Sequence, residues 1–163
     1  MDTSNYFYHT GIESQCKDKL LNIIEGDWDH DKVSFVSAKP VMLSLLDDYL
    51  LDLQQRFNGV ALLIKLPAHS FYAWHTDRRR LCCMNLELND TGSTTYFGKR
   101  TDKDLPGRDI YDNLVKLPYD GKYVLLNTTE HHCVANIGEE RILFSLGFNN
   151  TRYQEVLAYL NAK

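Results

Sequence analysis

The sequence predicts a mainly β fold with flanking helices: an eight-stranded jelly roll preceded by two helices and followed by a third. Two observations carry that expectation. Before Gly59 apolar residues recur at helical spacing, and after it the period shortens to β-rich runs separated by turn residues. Short strands in succession point to a sandwich or barrel and not to alternating βαβ units. At 163 residues the chain has the length of one domain with a sizeable core. The expected division is a helical segment over 1–58, a jelly-roll core over 59–148 and a C-terminal helix over 151–161.

Taken in order, the first helix is read from Ile12, Cys16, Leu20, Leu21, Ile23 and Ile24, which precede Gly26. The second is read from the leucine-rich span Val41 to Phe57, stopped by Asn58-Gly59. Between them, Lys32 to Ser37 carries Val33, Phe35 and Val36 and reads as a short strand. The β runs are Val60 to Leu66, Ser70 to His75, Leu81 to Leu88, Thr94 to Phe97, Asn113 to Leu117, Tyr123 to Asn127, His132 to Asn136 and Arg141 to Phe148. Asn89-Asp90-Thr91-Gly92 and Tyr119-Asp120-Gly121 read as turns. The strand-poor connection Gly98 to Asp112 is a lid or a surface loop. Thr151 is the expected cap of a last helix carrying Tyr153, Val156, Leu157 and Leu160.

Composition excludes more than it identifies. A formal charge of -4 and a pI near 5.8 count against a protein that binds nucleic acid through a broad basic surface. Arg78-Arg79-Arg80 is a dense basic cluster, read as a solvated turn or as a group meeting an acidic substrate or co-substrate. No run approaches the roughly 18 to 20 apolar residues that span a bilayer, and the polar, aromatic N-terminus is unlike a signal peptide. The cysteines Cys16, Cys82, Cys83 and Cys133 have no framework spacing, and adjacent Cys82 and Cys83 fall on opposite faces of a strand. Reduced thiols in a cytoplasmic protein are the expectation.

The chemistry is read from His75-Thr76-Asp77, His132 and Arg141. Two histidines and one carboxylate are the ligand set of a mononuclear non-haem Fe(II) site, which leaves open positions opposite the protein ligands. At a strand end, residues two apart leave on the same side, roughly 7 Å apart at Cα. The pair alone is a weak signal, equally read as a strand-end histidine beside a turn aspartate. His132, a turn and Arg141 entering the next strand would bring a third ligand and a cation to the same barrel mouth. Of the neighbours His131 and His132, a strand can turn only one toward the metal.

These residues resemble the 2-oxoglutarate and Fe(II)-dependent dioxygenase superfamily, in which H-x-D is followed, roughly 50 to 60 residues on, by a histidine and then by a basic residue. The resemblance covers Val60 to Phe148 and implies a double-stranded β-helix, the cupin-like jelly roll. Leu66-Pro67-Ala68-His69-Ser70 looks like the segment before the first ligand in aspartyl/asparaginyl β-hydroxylase-like members. Tyr72 to Asp77, and His132-x-Val134 leading to Arg141, look more like the peptidyl-prolyl hydroxylase group. Typical aspartyl/asparaginyl β-hydroxylases lack the carboxylate ligand; Asp77 favours a prolyl-hydroxylase-like centre.

The resemblance implies that His75, Asp77 and His132 bind Fe(II), with His132 preferred over His131 for its context and its distance from Arg141. It implies 2-oxoglutarate and O2 as co-substrates and delivery of a hydroxyl to a substrate C–H. Arg141 would hold the distal carboxylate, since guanidinium matches a carboxylate with two parallel hydrogen bonds; paired with Glu139 or Glu140 it would be a structural edge-strand arginine instead. Ser145, Tyr72 and Asn85 are further candidates for the co-substrate pocket, or ordinary polar packing. Trp74, Tyr96 and Phe97 either line a substrate cleft or belong to the core. The implied substrate is a prolyl, aspartyl or asparaginyl residue in a peptide or a related amino acid. The same chemistry on a small metabolite or nucleobase, and a catalytically silent jelly-roll binding module, are the alternatives.

Overall fold

A computed structural model describes residues 3–30, 36–101 and 109–162. Among these residues, eleven strands and three α-helices follow the order β1 (Phe7–Glu13), α1 (Lys17–Asn22), β2 (Asp29–His30), β3 (Ser37–Pro40), α2 (Asp48–Arg56), β4 (Gly59–Leu66), β5 (Ser70–His75), β6 (Arg80–Glu87), β7 (Thr94–Arg100), β8 (Tyr111–Leu117), β9 (Lys122–Leu126), β10 (His132–Asn136), β11 (Arg141–Asn149) and α3 (Tyr153–Asn161). They form a seven-stranded sheet, β1-β9-β6-β11-β4-β3-β2, facing a four-stranded sheet, β5-β10-β7-β8. Every pairing described is antiparallel. This is the expected jelly roll, and the eight strands read from Val60 onward are β4 to β11.

Strand alternation sorts the large sheet into two faces. Ala61 and Leu63, Met84 and Leu86, Tyr123 and Leu125, and Phe144 and Leu146 point outward, where they pack under the helices. There α2 lies on β4 and β11 through Leu50 and Leu53, and α3 lies on β6 and β9 through Tyr153 and Val156. The inner face meets the small sheet. At one end Phe97, Val115, Leu117, Val124 and Leu126 close it with apolar contact. The rest of that interior holds polar side chains and contains the site.

The N-terminal third departs from the helical reading of 1–58. Ile12 lies in β1, not on a helix, and the first helix begins only at Lys17. Its spacing from Cys16 is coincidental: β1 is recruited as an edge partner of β9, and Tyr6 and Phe7 bury against Phe97. The span Val41 to Phe57 is likewise divided, with a 3-10 turn at Leu43–Leu45 and an α-helix from Asp48. Asp47 sets that start, its Oδ1 accepting from the Tyr49 and Leu50 amides at 2.9 and 3.1 Å. Most of Lys32 to Ser37 lies outside the described residues; β3 begins at Ser37.

Two further expectations shift. The strand-poor connection is shorter than Gly98 to Asp112, because β7 runs to Arg100 and β8 starts at Tyr111, joined by Thr101 N–H donating to Ile110 O at 2.8 Å. Residues 102–108 lie outside the described residues. The last helix is capped at Arg152, whose amide donates to Glu155 Oε1 at 3.1 Å, while the Thr151 hydroxyl turns to Phe57 O. Among the described residues no helix is long and apolar enough to cross a membrane.

Candidate metal centre

His75 ends β5 and His132 begins β10, and the two are direct cross-strand partners. Adjacent antiparallel partners place their side chains side by side, and the imidazole centroids are 4.2 Å apart. Between Tyr72 and His75 the β5 register slips against β10, so that Tyr72 and His75 both turn inward with ring centroids 4.3 Å apart. Asp77 follows the strand end, its amide donating to Thr128 O at 2.8 Å. One ligand atom from each of His75, Asp77 and His132 lies within 4.8 Å of the others.

The hydrogen bonds assign the free lone pairs. His75 Nδ1 is 2.7 Å from Ala73 O, and His132 Nδ1 is 2.9 Å from Glu130 O. A carbonyl only accepts, so each Nδ1 carries the proton and each Nε2 is left as a donor to a metal. His75 Nε2 sits 3.7 Å from Asp77 Oδ1. Neighbouring ligand atoms bonded to one ion at about 2.1 Å and at right angles lie about 3.0 Å apart, so the cluster closes on a single ion by drawing these side chains together, from 3.7 Å for the His75–Asp77 pair. Burial, and then the neighbouring His75, push the His132 pKa down to about 4, which keeps that ring neutral. The donor set of two imidazoles and a carboxylate fits a divalent iron site.

Asp77 is itself held. Arg80 Nε and Nη2 both donate to its Oδ2, at 2.8 and 2.7 Å, and Arg80 Nη1 donates to Ser145 Oγ at 3.2 Å. The sequence placed Arg80 in a basic cluster near the site without naming this partner. The available signal was the three-residue spacing from Asp77 at the start of a strand.

Arg141 lies on β11, between β6 and β4, and is 1% exposed. Its partner is Glu87 on β6, not Glu139 or Glu140: Nε donates to Glu87 Oε1 at 2.9 Å, while Glu140 pairs with Lys65. Nη1 makes a long bond to Thr95 Oγ1 at 3.4 Å, and the guanidinium lies over the Tyr119 ring at 4.9 Å. Among the described residues Nη2 is buried with no hydrogen-bond partner. An unpaired buried donor costs about 1–3 kcal/mol, which a bound acceptor removes.

Arg141 also lines a cavity of about 120 Å³ between the sheets, whose walls include His75, His132, Arg80, Tyr72 and Asn85. Asn85 Oδ1 is also buried and has no partner among the described residues. Ser145 shares the inner face of β11 but lies against Arg80, away from the cavity wall. His131 turns outward onto Tyr111, with ring centroids 5.5 Å apart. Trp74 stacks on Tyr111 at 4.2 Å, and Phe97 is wholly buried beside His132. Asn136 ties the turns before β5 and β11 together, its Nδ2 donating to Pro67 O and Glu139 O.

Fold and cluster together define a jelly-roll protein with a two-histidine, one-carboxylate centre at the barrel mouth. No protein-family model matches the chain, and no curated protein matches it significantly. Solved structures do. A prolyl-4-hydroxylase from Pseudomonas putida is similar over 92% of this chain and 96% of its own, with 16% identity and a TM-score of 0.62. A prolyl hydroxylase from Trichoplax adhaerens, in complex with a hypoxia inducible factor oxygen degradation domain peptide fragment, is similar over 94% and 87%, with 14% identity and a TM-score of 0.62. HygX from Streptomyces hygroscopicus, with nickel and 2-oxoglutarate bound, is similar over 91% and 85%, with 12% identity and a TM-score of 0.60. The chain shares the antiparallel, two-sheet jelly-roll fold of these structures.

Proposed function

We propose that the protein is an Fe(II)- and 2-oxoglutarate-dependent hydroxylase, acting as a single domain on a prolyl, aspartyl or asparaginyl residue in a peptide or on a related amino acid. The observation that carries this reading is the buried Nη2 of Arg141, without a partner among the described residues, on a side chain that lines the same cavity as His75 and His132. In a protein interior such a donor calls for an anion.

In this reading His75 Nε2, His132 Nε2 and Asp77 Oδ1 hold the iron, and Arg141 takes the distal carboxylate of 2-oxoglutarate. Bound there, iron with 2-oxoglutarate and O2 supplies oxidative decarboxylation to succinate and CO2, coupled to hydroxylation of a C–H bond. The chain's own contribution is orientation and exclusion. The Nδ1 bonds to Ala73 O and Glu130 O keep both ligand rings turned inward, and the apolar Leu143 and Val134 in the cavity wall limit water.

Similarity to two prolyl hydroxylases supports a peptide substrate. Similarity to HygX, which has been solved with hygromycin B bound, supports the same chemistry on a small molecule as the second reading. The four free, buried cysteines fit a reducing cytoplasm.

The test is 2-oxoglutarate turnover with Fe(II) and O2, followed as succinate, against a panel of prolyl, aspartyl and asparaginyl peptides and the free amino acids. Succinate formation that is lost in His132→Ala and Arg141→Ala supports the assignment. Wild-type protein that binds neither a divalent metal nor 2-oxoglutarate would make the chain a jelly-roll binding module instead.

A further inference from the structure

We propose that Arg80 is a positioning residue for the metal centre: it holds the Asp77 carboxylate so that one oxygen faces the ion, and Gly147 is the position that makes room for it. The inference rests on the metal-site reading above.

The placement of Arg80 comes from a break in strand pairing. β6 and β11 pair regularly from Leu143 opposite Glu87 to Phe148 opposite Cys82, then slip, so that Asn149 faces Arg80 and Leu81 is the extra residue. Unbroken alternation would put Arg80 on the face of Cys82, Met84 and Leu86, in the apolar layer under the helices. The bulge turns it to the inner face of Cys83 and Asn85 instead, as bulges beside functional sites re-aim a side chain.

Once there, Arg80 is fixed at both ends. Its guanidinium spans Asp77 Oδ2 and Ser145 Oγ. Its carbonyl accepts from the Thr128 hydroxyl, and Thr128 O accepts from the Asp77 amide. Along its length the side chain crosses Gly147. A Cβ there would stand 2.9 Å from Arg80 Cγ and closer still to Cδ, so any side chain at 147 must lift the arginine away.

The consequence is a matter of coordination number. Three single-atom protein ligands on a six-coordinate ion leave three positions, the number that a two-atom chelating co-substrate and one gas molecule require. An aspartate with both oxygens free can take one of those positions by chelating. With Oδ2 occupied by two charge-assisted bonds, Asp77 offers Oδ1 alone. A guanidinium near a dication also repels it, so two effects oppose each other: if repulsion dominated, removing Arg80 would tighten metal binding. Loss of the orienting partner of a metal ligand ordinarily weakens it.

The experiment is calorimetric titration of the full-length apo protein with Co(II), together with the d–d absorption of the saturated protein and its melting temperature. Arg80→Gln is expected to weaken Co(II) binding by about 10- to 100-fold and to alter the d–d bands, with melting little changed. Arg80→Lys keeps the charge but not the fork, and recovers only some of the affinity. Gly147→Ala touches no ligand and should weaken binding in the same sense, and the double variant should be no worse than Arg80→Gln alone. Unchanged or tighter Co(II) binding in folded Arg80→Gln overturns the inference, while loss of Co(II) in His132→Ala would leave the metal site itself standing. A wild-type protein that takes up no Co(II) overturns both. If Gly147→Ala does not fold, the two Arg80 variants decide alone.

Discussion

Replacing Arg141 by alanine tests the co-substrate pocket most directly, because the structure sets the size of the effect. The guanidinium is 1% exposed, with Nε committed to Glu87, Nη1 sharing a long bond with Thr95 and Nη2 unpaired among the described residues. A carboxylate docking on it gains at least one charge-assisted hydrogen bond, worth about 1.5–3 kcal/mol net. At about 1.4 kcal/mol per tenfold, that is a loss of roughly 10- to 150-fold in 2-oxoglutarate affinity. Glu87 pushes the result toward the upper end: deprived of its cation, it becomes a carboxylate beside an anion site. It retains the Ser93 hydroxyl at 3.1 Å and is 13% exposed, so the cost to folding should fall at or below the lower end of the roughly 3–5 kcal/mol typical of a broken buried pair. The assay is titration of 2-oxoglutarate into Co(II)-loaded wild-type and Arg141→Ala protein, with Arg141→Met/Glu87→Gln separating binding from stability. A change of less than about threefold in folded protein that still binds Co(II) would refute the reasoning.

Asp77→Ala should abolish Co(II) binding and turnover with the far-ultraviolet circular dichroism intact, since on the proposed function the side chain removed is a ligand and not core; His131→Ala, on the outward face, should leave metal affinity unchanged. The thiols of Cys82 and Cys83 are pushed up by burial, and that of Cys133 to about 11. Because the thiolate is the nucleophile, iodoacetamide at pH 8 should label none of the three until denaturant exposes them, when mass spectrometry should find all of them modified. Phe144→Ala, at a wholly buried position under the helices, should cost about 3–5 kcal/mol, read as a fall in the urea midpoint with the slope unchanged.

The strands from Val60 onward were legible because turn residues bracket each run. The apolar sequence of β6, Leu81-Cys82-Cys83-Met84, shows no alternation because that stretch of the strand is covered on both faces, by helices outside and by the small sheet inside. β1 was not legible. Its strand character comes from pairing with β9, over a hundred residues away in the chain, and periodicity in a local window cannot register such a partner. The cluster of His75, Asp77 and His132 was legible because its residue types match a known ligand set and the strand ends bring them together. What surrounds them was not, since it depends on pairing between strands that are not consecutive. Glu87 reaches Arg141 because Leu143 happens to face Glu87 across β6 and β11, and Arg80 reaches Asp77 through a one-residue slip of that same pair.

Neighbouring residues on β6 and β11 divide stability from chemistry. Met84, Leu86, Phe144 and Leu146 face the helices, while Asn85, Glu87, Arg141 and Ser145 face the interior. The apolar layer offsets the cost of burying polar groups one position along the strand, which is why the interior can stay polar without loss of the fold. Its charges are already balanced, Arg80 against Asp77 and Arg141 against Glu87. On the proposed function, a divalent metal alone adds two positive charges to that interior, and 2-oxoglutarate alone adds two negative ones; bound together they cancel. Each ligand therefore binds more tightly in the presence of the other, by the same factor. Titration of 2-oxoglutarate with and without Co(II) measures that factor, and equal affinity in the two titrations would mean that the two ligands do not share this interior.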